Sequence, residues 1–190
     1  MNHPPVLVLP SYLRPDECAE ILALYPPTLN SAKVSVADGN KHVDGDRPEY
    51  RKSSVTFIER DLATAPESLF RRLGQLVVES NEKVFGFTIQ GSESFQLTEY
   101  DVGGEYQWHL DIGPGNAALR KISVSAQLSN ETEYEGGELE LQNGGLQPLV
   151  ADKTIGTAIL FPSYLLHRVL PVTKGKRRAL VAWITGPKFK

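Results

Sequence analysis

The alternation of apolar and polar residues changes period near residue 87. Before that point, apolar residues recur at helical spacing in two places. Cys18, Ile21, Leu22 and Tyr25 follow a helix opening at Ser11 or at Arg14-Pro15-Asp16-Glu17, and Pro26-Pro27 stops the run. Leu69, Phe70, Leu73, Leu76, Val77 and Val84 form one apolar side of a helix over 66–85. Val6-Leu7-Val8-Leu9 has the texture of a short buried strand, and 52–58 that of a second. Residues 37–49 are polar and contain Gly and Pro, which predicts a mobile loop suited to a lid. From Phe87 onward short β runs are expected at 94–100, 121–128, 138–142, 145–150, 157–161, 165–171 and 179–185. Gly103-Gly104, Gly113-Pro114-Gly115, Gly136-Gly137, Gly144-Gly145 and Gly175 punctuate them. Two helices followed by seven or eight short strands predict a mainly β protein, a sandwich or jelly roll with its helices packed on one sheet.

Length and charge narrow the class. A chain of 190 residues is expected to form a single domain, with 1–90 supplying helices and supporting strands and 91–190 the β core. A net charge of -3 and a pI near 5.8 argue against nucleic acid or an anionic membrane as partner. No apolar run has membrane-spanning length, and Met1-Asn2-His3-Pro4-Pro5 lacks the features of a secretory signal. One cysteine, Cys18, permits no internal disulfide and fits a reducing compartment. The expectation is a cytoplasmic monomer or homodimer.

The chemistry lies in His109-Leu110-Asp111, a distant His167, and Arg177 ten residues beyond it. A His-x-Asp pair and one remote His form the donor set of the two-His, one-carboxylate facial triad. That triad holds Fe(II) and leaves positions open for ligands. Positions i and i+2 of a strand share a face, so His109 and Asp111 reach one ion, or nearly so if the strand ends between them. His167 stands among apolar neighbours in Leu165-Leu166-His167-Arg168-Val169, where an imidazole needs a partner. Zinc is the competing metal, since catalytic zinc also takes two His and a carboxylate; the chain offers no HExxH helix to supply a base. In Lys174-Gly175-Lys176-Arg177-Arg178 only one of the two arginines can face inward. Spacing to His167 selects Arg177, whose guanidinium suits the far carboxylate of a dicarboxylic cosubstrate.

These motifs resemble the iron- and 2-oxoglutarate-dependent oxygenases of the prolyl 4-hydroxylase type, including the PKHD-type hydroxylases. The resemblance runs closely over 94–185. It rests on Tyr100 nine residues before His109, the strand after the ligand loop (120–128), Tyr134-Glu135-Gly136-Gly137-Glu138-Leu139, the stretch 166–177, and Trp183 six residues past the anchor. It implies a double-stranded β-helix (jelly-roll) core. It also implies oxidation of a C–H bond to an alcohol with Fe(II), 2-oxoglutarate as cosubstrate and dioxygen, ascorbate serving as reductant. By the same resemblance His109, Asp111 and His167 bind iron, Arg177 and Tyr100 hold the distal carboxylate, and Ser123 and Trp183 complete the cosubstrate pocket. Two departures stand out: the anchor is Arg where many animal and plant relatives have Lys, and Gln127 stands where they often carry Tyr. Tyr106, Trp108 and Arg51 are the expected substrate contacts, with 37–50 and 102–108 as lids. The leading substrate is a prolyl residue in a peptide or protein. Two rivals remain open: a hydroxylase of a free amino acid or small metabolite, and a non-catalytic cupin-type metal-binding module.

Overall fold

The structure, a computed structural model, describes residues 5–26, 28–38, 41–58 and 67–189, with only the backbone at 35–38, 41–44 and 67–69. The first elements are β1 (Leu7–Leu9), α1 (Pro15–Leu22), β2 (Asn30–Ser31), β3 (Val34–Asp38), β4 (Lys41–Gly45), β5 (Arg51–Lys52), β6 (Ser54–Ile58) and α2 (Glu67–Ser80). Then come β7 (Gly91–Ser92), β8 (Phe95–Tyr100), β9 (Glu105–His109), β10 (Arg120–Gln127), β11 (Tyr134–Gly136) and β12 (Leu139–Leu141). The last are β13 (Leu149–Val150), β14 (Ala158–Pro162), β15 (His167–Val169), β16 (Val172–Gly175) and β17 (Arg177–Thr185). Two antiparallel sheets make the jelly roll. The larger runs β1-β14-β10-β17-β8-β6-β2 with β7 joined to β17, and the smaller runs β13-β12-β15-β9-β5.

Strand alternation sorts the interior into two regions. On β10 and β17, Ile122, Val124, Ala126, Leu180, Ala182 and Ile184 form a buried cluster with Cys18 and Ile21 of α1 and Leu73 and Val77 of α2. Each buried Val, Leu or Ile among them contributes roughly 1.5–3 kcal/mol, which holds the helices on that sheet. The intervening residues Ser123, Ser125, Ala179, Val181 and Trp183 line a cavity of about 980 Å³. Leu139, Leu141, Phe161, Leu165 and Val169 form a second apolar cluster on the cavity side.

Several elements depart from the sequence expectations. Much of the polar stretch 37–49 is strand: β3 and β4 pair with Val36 opposite Val43, while 39–40 lie outside the described residues. Ladder bonds are made by the backbone, so a hairpin does not require an apolar composition. The expected lid at 102–108 is largely β9, held between β15 and β5. The strand at 145–150 shrinks to β13, and Leu146 before it is fully exposed. The run at 52–58 divides at Ser53, with β5 in the smaller sheet and β6 in the larger. The jelly roll therefore draws strands from before residue 90 as well. Val84, expected on the buried side of the second helix, is 40% exposed. A π turn over Asn81–Phe85 follows α2, closed by the Gly86 N–H to the Asn81 carbonyl at 2.7 Å. The wider turn rotates Val84 off the apolar stripe.

Candidate metal and cosubstrate site

Pairing of β9 with β15 sets His167 opposite His109. The next matched pair is Val169 with Tyr106, so β9 carries an extra residue between the two pairs. This bulge breaks simple alternation. Tyr106 and His109 both line the cavity, whereas Trp108 does not; its ring lies under the Arg168 guanidinium at 4.6 Å. The expectation that Trp108 faces the substrate is corrected accordingly. The strand ends at His109, and Asp111 follows in a bend tied by its N–H to the Ser163 carbonyl at 3.0 Å.

The three donors converge: one ligand atom from each of His109, Asp111 and His167 lies within 4.8 Å of the others. His109 Nε2 stands 3.8 Å from Asp111 Oδ1, and His167 Nε2 stands 3.5 Å from Asp111 Oδ2. Each imidazole pairs through Nδ1 with the carbonyl two residues earlier, Gln107 at 2.8 Å and Leu165 at 2.9 Å. Since a carbonyl only accepts, Nδ1 carries the proton and the Nε2 lone pair is left for a metal. Burial, reinforced by His167, pushes the His109 pKa down to about 3, so the ring is neutral at physiological pH. Burial opposes ionisation of Asp111, but His167, His109 and the Ser123 hydroxyl outweigh it and hold the pKa below the usual carboxylate range. No Lys or Arg side chain pairs with this carboxylate among the described residues. Two imidazole nitrogens and one carboxylate, nearly buried together, fit a divalent cation.

Ser123 donates to Asp111 Oδ2 at 2.6 Å and shares a 3.0 Å hydrogen bond with Ser163. Its hydroxyl is thus directed at the carboxylate ligand rather than left free for the cosubstrate. Ser123→Ala should weaken Fe(II) binding by about 10- to 100-fold, the usual effect of losing a partner that orients a ligand. Anaerobic Fe(II) titration measures this, and an unchanged affinity would show that Asp111 needs no such support.

Arg177 opens β17 opposite Tyr100 of β8, its guanidinium 5.3 Å from the Tyr100 ring centroid. Arg177 is 2% exposed, its Nε has no hydrogen-bond partner, and it makes no ion pair among the described residues. Its neighbour Arg178 is paired with Glu99 at 2.7 Å instead. A buried, uncompensated guanidinium is costly. An anion entering the cavity would satisfy it, and a carboxylate matches its fork. Gly137 lies against this anchor: a Cβ there would come within 3.1 Å of Arg177 Cδ.

Tyr106 stacks on His109 with centroids 3.4 Å apart and planes 15° apart, and the Arg51 guanidinium lies 4.5 Å from the centroid of the same ring. Trp183 lines the cavity under Arg120 at 3.9 Å; its Nε1 lies near the Asp111 carboxylate without making a hydrogen bond to it. Four further groups escaped the sequence reading. Arg120 grips Glu93 through two nitrogens at 2.7 and 2.6 Å and donates to the Asp111 carbonyl at 3.0 Å. Ser163 supports Ser123, and the Tyr50 hydroxyl holds the Trp108 carbonyl at 2.7 Å. These contacts depend on which strands become neighbours, and no local pattern announces that.

The sequence model of the 2OG-Fe(II) oxygenase superfamily matches residues 95–185. A PKHD-type hydroxylase of Synechococcus sp. (strain CC9605) is 36% identical over 91 residues, covering 48% of this chain and 41% of that protein. Another, from Teredinibacter turnerae, is 41% identical over 91 residues, covering 45% and 39%. The chain spans about two fifths of the length of these curated relatives. In fold it is similar to a Pseudomonas putida prolyl-4-hydroxylase, with a TM-score of 0.75 at 20% identity over 98% of this chain and 94% of that one. It is also similar to a Trichoplax adhaerens prolyl hydroxylase solved with a hypoxia inducible factor peptide fragment, with a TM-score of 0.76 at 19% identity over 95% and 83%. The residues that bring the three donors and the buried arginine together lie within the stretch that is similar to the 2OG-Fe(II) oxygenase superfamily.

Proposed function

We propose that the chain is an Fe(II)- and 2-oxoglutarate-dependent dioxygenase that hydroxylates an amino-acid residue, with peptidyl proline as the leading substrate. The observation that carries this reading is the unpaired, buried Arg177 in the same cavity as the three metal donors. A bare metal-sensing module has no use for such a cation. His109 and His167 would hold iron through Nε2 and Asp111 through its carboxylate. Arg177 would take the distal carboxylate of 2-oxoglutarate, with Tyr100 beside it. Iron loaded with 2-oxoglutarate and dioxygen supplies the oxidation of an unactivated C–H bond. The protein supplies position and dryness: Phe161, Trp183 and Val169 wall the cavity, and water exclusion protects the chain from its own oxidant. The hydroxylase names of the relatives support a hydroxylation, and the peptide in the Trichoplax adhaerens complex supports a peptide substrate.

The test has two stages. Anaerobic addition of Fe(II) and then 2-oxoglutarate should produce a visible metal-to-ligand charge-transfer band. Aerobic incubation with ascorbate should then add one oxygen to a prolyl peptide, read by mass. Iron uptake without the band would return the cupin-type module. A band with mass gain on free amino acids alone would select the small-molecule reading.

A further inference from the structure

The charged groups that line the cavity do not balance. They are Lys33, Arg51, Glu93, Asp111, Arg120 and Arg177. Arg120 and Glu93 neutralise each other through a two-point ion pair. Asp111 belongs with the metal and Arg177 with the cosubstrate, on the reading proposed above. Arg51 and Lys33 remain, with no acidic partner among the described residues. Asp46 shares the shallow neighbouring pocket with Arg51 but forms no ion pair with it, while Glu99 and Asp101 in that pocket are taken by Lys176 and Arg178.

Arg51 is also held in place. It sits on β5, opposite Tyr106 of β9. Its Nε donates to the Ser53 hydroxyl at 2.9 Å, and its guanidinium lies over the Tyr106 ring, which also stacks on the His109 imidazole and meets Tyr50 edge-on. That leaves the two terminal nitrogens without a partner among the described residues. A guanidinium whose rotamer is already set loses little entropy when it takes a ligand, and its terminal pair matches the two oxygens of a carboxylate. Lys33 adds a second, exposed cation on the same cavity. β2 and β5 end the two sheets; Arg51 lies on β5, and Lys33 lies two residues past β2. Phe57 and Leu110, 53% and 45% exposed, add apolar surface to the lining.

We infer that Arg51, aided by Lys33, is a carboxylate subsite for the substrate, and that the residue to be hydroxylated carries or neighbours a carboxylate. The inference rests on the proposed dioxygenase reading and names the substrate class of that site. The carboxylate has two sources, an acidic side chain in a peptide or the α-carboxylate of a free amino acid.

The test uses matched probes that differ only in that charge: acetyl-Glu-Pro-Gly-amide against acetyl-Gln-Pro-Gly-amide, and L-proline against L-prolinamide. Binding is measured by calorimetry on the metal-free protein and on the anaerobic Fe(II)·2-oxoglutarate form. The acidic member of at least one pair should bind roughly 10- to 100-fold tighter, and the pair that shows the preference identifies the source. Arg51→Gln should erase the preference, Arg51→Lys should restore part of it, and Arg51→Glu should reverse it toward acetyl-Lys-Pro-Gly-amide. The charge-transfer band serves as the check that each variant is folded and loaded. Equal affinity within both pairs, no measurable binding, or a preference that survives Arg51→Gln would overturn the subsite while the band leaves the cosubstrate reading standing. Absence of the band in the unaltered protein would remove that reading and the subsite with it.

Discussion

Arg177→Met should make the cosubstrate-free protein more stable while making it nearly blind to 2-oxoglutarate. The guanidinium is 2% exposed, its Nε is orphaned, and no acid pairs with it among the described residues. A buried charge in that state opposes folding by several kcal/mol, and an apolar side chain of similar length often gains 1–4 kcal/mol in such a place, of which we expect about 1–2 kcal/mol. For a chain of this size that corresponds to a rise in Tm of roughly 3–6 °C. Loss of the fork removes a desolvated, charge-assisted pair of about 3–5 kcal/mol, or roughly 10²- to 10⁴-fold in apparent 2-oxoglutarate affinity. Thermal scanning without cosubstrate and titration of the charge-transfer band read the two halves separately. A lower Tm together with an unchanged titration would show that Arg177 serves the fold and not the ligand. Lysine is not an equivalent replacement, because a point charge cannot form the two-nitrogen fork.

Asp111→Ala should abolish iron retention and, with it, turnover. Asp111 is the one anionic donor among the three, and its two oxygens face both Nε2 atoms at 3.8 and 3.5 Å. Removing a partner that merely orients a ligand weakens metal binding by about 10- to 100-fold; removing the ligand itself should cost on the order of 10³-fold or more. The fold should survive, since the side chain ends in a bend whose backbone is fixed independently by the Asp111 N–H to Ser163 and by Arg120 on the Asp111 carbonyl. Metal content after anaerobic desalting, alongside far-ultraviolet circular dichroism, distinguishes lost iron from lost structure. Full iron content in the variant would break the assignment of the triad.

The donor set was legible because it depends on residue type and on pairing rules with few alternatives. A His-x-Asp next to a Gly-Gly turn and a lone His in an apolar strand have few ways to be satisfied, and antiparallel pairing of β9 with β15 is what unites them. Arg177 was legible for the same reason: alternation along β17 admits one of two arginines, and Arg178 takes the opposite face to reach Glu99. Trp108 was misplaced because a single bulged residue inverts the faces of a strand, and nothing in Glu105-Tyr106-Gln107-Trp108-His109 marks a bulge. The β3–β4 hairpin was hidden by its polarity, and Val84 by a π turn that leaves no trace in the apolar pattern. Ser123 was placed on the correct face, yet its partner Asp111 could be known only once β10 lay beside the ligand loop.

The two halves of the site are built on strands of very different length. Arg177 and Trp183 share β17, nine residues long and paired on one side with β10 and on the other with β8 and β7. His167 belongs to β15, three residues long, and His109 ends a five-residue strand. Local opening is governed by how many ladder bonds must break together, so the three residues of β15 are expected to open at lower free energy than the interior of β17. His167 is therefore expected to loosen before Trp183 does.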